Sequence, residues 1–168
     1  MADGQYIIND HLVIVGSKSL RITSSASPFS ISTTQSFGDL SAYSGVSSGT
    51  PTTGTVGVWV YLQANEITGI TLRIGSSSGN YTEIAGVKTI SDAFDVQDGW
   101  NYFVFRLKNG TTTGTPVWTA VAYARIQVAS SAVPIVVMDY LTIGKGDIIG
   151  LNGLDERKTL FTIATTTF

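Results

Sequence analysis

Few side chains in this 168-residue chain are of the kinds that carry out covalent chemistry. There is no cysteine, which excludes thiolate nucleophiles, thiolate metal sites and disulfides. The single histidine, His11, lies near the N-terminus, so a multi-histidine metal site is excluded by count and no Ser-His-Asp context can be built around it. Paired carboxylates remain, the arrangement that hydrolyses glycosidic bonds. Glu66 and Glu83 fall near loops and make no evident pair. Asp92, Asp95 and Asp98 cluster just before Trp100. Their spacing resembles a calcium loop, but the full EF-hand ligand pattern is missing and a solvated turn is the plainer reading.

Asp139 stands out because it interrupts an apolar strand, Val-Val-Met-Asp-Tyr-Leu, where an unpaired charge would be costly to bury. Three readings are open. It faces solvent by alternation, it pairs with an arginine such as Arg125, or it binds an ion, with calcium ranked behind the other two. The three tryptophans offer different chemistry, since an exposed ring can stack on the face of a sugar. Trp59 sits mid-strand and is expected in the core. Trp100 and Trp118 start strands beside loops and are the candidate glycan-binding residues, although core or rim packing is the plainer role for each. Asn80-Tyr81-Thr82 and Asn109-Gly110-Thr111 match the glycosylation sequon. Without a leader they are read as chance.

The elements that must hold these residues are almost all strands. No stretch of a dozen residues keeps apolar positions at helical spacing. About ten short β-branched and aromatic runs are separated instead by Gly, Ser, Asn and Pro. Ser19 to Ser24 alternates Leu20 and Ile22 against Ser19, Arg21 and Thr23, a half-buried pattern. Thr55 to Gln63 is apolar on both faces and reads as a central strand. Trp100 to Leu107 sets Phe103, Phe105 and Leu107 on one face and Trp100, Tyr102 and Val104 on the other. Val117 to Val128 and Pro134 to Ile143 are two more strands, and Ser36 to Pro51 is a long loop with one short strand near Leu40. The pattern predicts an all-β, antiparallel two-sheet β-sandwich, a jelly roll, over residues 1–144. Residues 145–168 form a C-terminal extension, an arm or an added edge strand.

Composition narrows the partners. Charged residues are 13% of the chain and the net charge is −2, with no basic run. Nucleic-acid binding lacks its electrostatic footprint. The start, Met-Ala-Asp-Gly-Gln-Tyr, has neither the basic nor the apolar region of a secretory signal, and the longest apolar run, 133–143, is too short to span a bilayer. Polarity comes from Ser, Thr, Gly and Asn. Two readings are open: a generic β-rich surface, or one that packs against other subunits, where hydroxyls are cheaper than charges to bury.

Several runs are familiar together: Val-Trp-Val-Tyr-Leu (58–62), Leu-Arg-Ile-Gly-Ser-Ser-Ser-Gly-Asn-Tyr (72–81), Gly-Trp-Asn-Tyr-Phe-Val-Phe (99–105) and Met-Asp-Tyr-Leu-Thr-Ile-Gly (138–144). Over about residues 12 to 144 the chain resembles concanavalin-like and carbohydrate-binding-module-like jelly rolls of tailed-phage virion proteins. The resemblance implies a non-enzymatic virion protein assembled in the host cytoplasm. As a capsid decoration (cement) subunit or a tail or fibre module, it would bind the major capsid protein, tail proteins or its own copies, as a homotrimer. In some similar domains the acidic residue of the final strand, here Asp139, sits near a structural calcium; no other cofactor is expected. The alternative is an adhesion module that recognises cell-surface glycans through exposed aromatics. Neither reading involves nucleic acid or membrane.

Overall fold

The computed structural model describes residues 4–9, 19–24, 27–62, 67–88, 97–131, 135–146 and 157–161. In chain order the strands are β1 (Gly4–Asn9), β2 (Ser19–Ser24), β3 (Phe29–Thr33), β4 (Thr55–Leu62), β5 (Ile67–Ser77) and β6 (Asn80–Ala85). There follow β7 (Val87–Lys88), β8 (Gly99–Arg106), β9 (Thr111–Thr113), β10 (Tyr123–Ser130), β11 (Ile135–Gly144) and β12 (Arg157–Phe161). A seven-stranded sheet has the order β1-β2-β11-β4-β8-β7, with β12 paired to β11; a five-stranded sheet runs β3-β10-β5-β6-β9. Every pairing is antiparallel. The two sheets form the sandwich expected from the sequence.

Alternation decides what each sheet turns inward. Val56, Val58, Val60 and Leu62 of β4 meet Phe103 and Phe105 of β8 and Val136, Met138 and Ile143 of β11 on the inner side of the larger sheet. Ile70, Leu72 and Ile74 of β5 and Ile126 and Val128 of β10 oppose them from the smaller one. Each such side chain contributes about 1.5–3 kcal/mol on burial, which is what holds two strand layers together without disulfides.

One end of the sandwich is closed by loops. The sequence predicts a strand from Val117, but residues Trp118–Ala120 make a 3₁₀ turn and the strand begins at Tyr123. Trp118 is fully buried. Its Nε1 donates to Gly49 O at 2.8 Å, its backbone N–H to Ser47 O at 2.8 Å, and its carbonyl accepts from Leu40 N–H at 2.7 Å. The long loop expected at 36–51 thus folds over the indole, and in place of the short strand expected near Leu40 it has a single helical turn, α1 (Ser41–Ser44). The glycan-stacking role considered for Trp118 is corrected on this ground: a ring with no exposed face cannot stack on a ligand.

Candidate functional site

The outer side of the seven-stranded sheet carries three rows of residues in register across neighbouring strands. The first runs Arg21, Val137, Tyr61, Trp100; the second Asp139, Trp59, Tyr102; the third Thr142, Gly57, Val104. Four of these residues are aromatic and they pair across β4 and β8. Trp59 and Tyr102 have ring centroids 5.0 Å apart with planes tilted by 46°. Tyr61 and Trp100 lie 5.6 Å apart, edge to face at 76°. Both geometries suit the aromatic quadrupole. Trp59, Tyr61 and Trp100 are each partly exposed, while Tyr102 is 8% exposed.

A glycine makes this arrangement possible. A Cβ on Gly57 would collide with Tyr102 Oη and Cζ. The phenol therefore lies across β4 over the bare backbone, diagonal to its own register partner Trp59. Thr142, beyond Gly57, is fully buried and its Oγ1 has no hydrogen-bond partner.

A β-bulge shapes the far side of the face. Asp139 pairs with Trp59 and Thr142 with Gly57, so Tyr140 and Leu141 together oppose Val58. Tyr140 takes φ 54°, the one non-glycine residue with positive φ among those described. A bulky residue in this left-handed region is uncommon, and such conformations concentrate where a fold positions functional groups. The bulge keeps Met138, Leu141 and Ile143 in the core while Asp139 and Thr142 take the other side.

The sequence-predicted residues fare differently. Trp100 lies in the aromatic face. Trp59, expected in the core, is on the outer side: the core residues of β4 occupy the alternate positions, which leaves the odd ones outside. Tyr61 and Tyr102 join it. The signal was legible as two adjoining strands that each alternate an aliphatic or Phe face with a Trp/Tyr face. Asp139 is 4% exposed, so it does not face solvent. Nor is it placed to pair with Arg125, which belongs to β10 in the other sheet. Calcium takes six to eight oxygen ligands, typically several from carboxylates. No cluster of three or more His, Cys, Asp or Glu occurs among the described residues. Asp98 is exposed; Asp92, Asp95, Glu66 and His11 lie outside the described residues. No described helix is long and apolar enough to cross a membrane.

A scan against protein families and a search among curated proteins both gave no match. Solved structures do match. A family 30 carbohydrate-binding module superposes with a TM-score of 0.55 at 13% identity, covering 87% of this chain and 75% of that one. An exo-β-agarase superposes with a TM-score of 0.52 at 12% identity, covering 86% of this chain and 22% of the agarase. The chain thus shares the sandwich fold of a carbohydrate-binding module, and spans about a fifth of the agarase's length.

Proposed function

We propose that the protein is a carbohydrate-binding module and that the outer face of its seven-stranded sheet is the binding surface. The observation that carries this reading is the set of paired aromatic rings on the outer side of the larger sheet: Trp59, Tyr61 and Trp100 are partly exposed there, and the buried Tyr102 packs beside Trp59. Aromatic faces pack on the C–H faces of sugars, and few polar groups beside them suffice to orient a ligand. The likeness to a family 30 carbohydrate-binding module supports the reading at the level of fold. The tilt and edge-to-face angles prevent all four rings from lying under one flat sugar. The face therefore offers two stacking positions, one at Trp59/Tyr102 and one at Tyr61/Trp100. Binding without cleavage is the proposed role: Asp139 is the one carboxylate among the described residues of this face, and glycoside hydrolysis normally uses two.

The test is retention of the protein on a panel of immobilised polysaccharides. Trp59→Ala and Trp100→Ala should each weaken retention markedly while their melting temperatures stay close to wild type. Undiminished binding by both variants would overturn the assignment. The expected place in a virion is a separate proposal, resting on the sequence resemblance and checked by mass spectrometry of purified particles.

A further inference from the structure

The five-stranded sheet also has an outer face, built on a different principle. Its central row, in register across all five strands, reads Ser32, Arg125, Arg73, Glu83, Thr111. Two arginines are therefore direct cross-strand neighbours on one face, a placement that costs stability when nothing neutralises it. Among the described residues of this row a single carboxylate, Glu83, stands beside them. Glu83 takes the Nε–H of Arg73 in an ion pair, and that hydrogen bond raises the Arg73 pKa above its ordinary value. The guanidinium carbon of Arg73 also sits 4.7 Å from the centroid of the Tyr81 ring, a cation–π contact. Tyr81 packs against Tyr123 at 6.2 Å. Arg73 is thus held in place from two sides. Among the described residues Arg125 has neither a carboxylate partner nor a hydrogen bond to its side chain. A chain of net charge −2 has set two of its ten cations side by side, with one carboxylate among the described residues of this row.

We propose that Arg125 and Arg73 form a second binding face, separate from the aromatic one, for the oxyanion groups of an acidic polysaccharide. Guanidinium forks match sulfate and carboxylate oxygens, and an anion between the two arginines turns their mutual repulsion into shared attraction. The surroundings indicate a glycan: Thr71 and Gln127 in the adjoining row, with Ser32 at the end of the central row, offer neutral hydroxyl and amide groups suited to sugar hydroxyls. This face does not depend on the aromatic one, and each can fail without the other.

The experiment compares dextran sulfate with unsubstituted dextran, and adds poly-aspartate, in affinity electrophoresis of the full chain at about 0.15 M salt. Wild type should be retarded by dextran sulfate and not by dextran. Arg125→Gln should weaken that retardation roughly tenfold, as expected for losing a charge-assisted contact. Lys108→Gln, which removes the same charge from an exposed turn elsewhere, should leave it nearly unchanged. The Arg125→Gln variant should melt no lower than wild type, because it relieves a like-charge pair. Equal losses from Arg125→Gln and Lys108→Gln would reduce the effect to net charge and overturn the proposal. So would equal retention by poly-aspartate, or a loss produced by Trp100→Ala instead.

Discussion

The two outer faces of this sandwich are made from one backbone pattern and opposite chemistry. On the larger sheet the outward positions of β4 and β8 carry Trp59, Tyr61, Trp100 and Tyr102, with one buried carboxylate, Asp139, at their side. On the smaller sheet the outward row carries two arginines and a glutamate, with the tyrosines used to hold an arginine. The first face presents ring surface and depends on packing. The second presents charge and depends on a partner to neutralise it. A pleated sheet supplies evenly spaced positions to both, so the side chains alone determine what each face can meet.

Four substitutions would break or sharpen this contrast. The largest effect should come from neither face. Trp118→Ala removes a fully buried indole and its bond to Gly49, and should cost about 3–5 kcal/mol in urea unfolding. A mild effect there would mean that the loops, and not the core, hold this end together. Gly57→Ala comes next. The new methyl displaces Tyr102, at about 1–3 kcal/mol, with a melting temperature several degrees lower and weaker binding at the aromatic face alone. Unchanged anion retention in that variant would show that the faces are independent.

Trp100→Ala should cost about tenfold in glycan affinity with little change in stability, because the ring is partly exposed and edge-on to Tyr61. Calorimetry on a bound polysaccharide reads this directly. Glu83→Gln should have the smallest effect on folding, well under 1 kcal/mol, since its partner Arg73 is 28% exposed and Glu83 itself 39%. It should nevertheless strengthen dextran sulfate binding, by freeing Arg73 for the ligand. Weaker binding in that variant would show that Glu83 serves to position Arg73 and does not compete for it.

Much of the fold was legible because alternation is a local property. The opposed faces of β8, with Phe103 and Phe105 against Trp100 and Tyr102, follow from period two, and so does the half-buried pattern of β2. What periodicity could not do was name the inward face. Thr55 to Gln63 is apolar on both sides, so its pattern alone places Trp59 in the core; with β8 and β11 flanking β4 and Val58 and Val60 turned to the other sheet, Trp59 lies outside. Trp118 failed in the opposite direction. It sits among turn residues, and nothing nearby in sequence reveals that Leu40, Ser47 and Gly49 close over it. Asp139 looked like a polar interruption of a strand. The bulge at Tyr140 and Leu141, which sets Asp139 beside Trp59, depends on the register between β11 and β4.

The sequence by itself determined that the chain is a cysteine-free, sparsely charged stack of short strands, since composition and period-two patterning are written along the chain. The tertiary structure alone decided which aromatics form a surface, which tryptophan is entombed, and that Arg73 and Arg125 stand side by side. Those are matters of cross-strand register and sheet order, which join residues some 40 to 80 positions apart, and no local pattern encodes a contact at that distance.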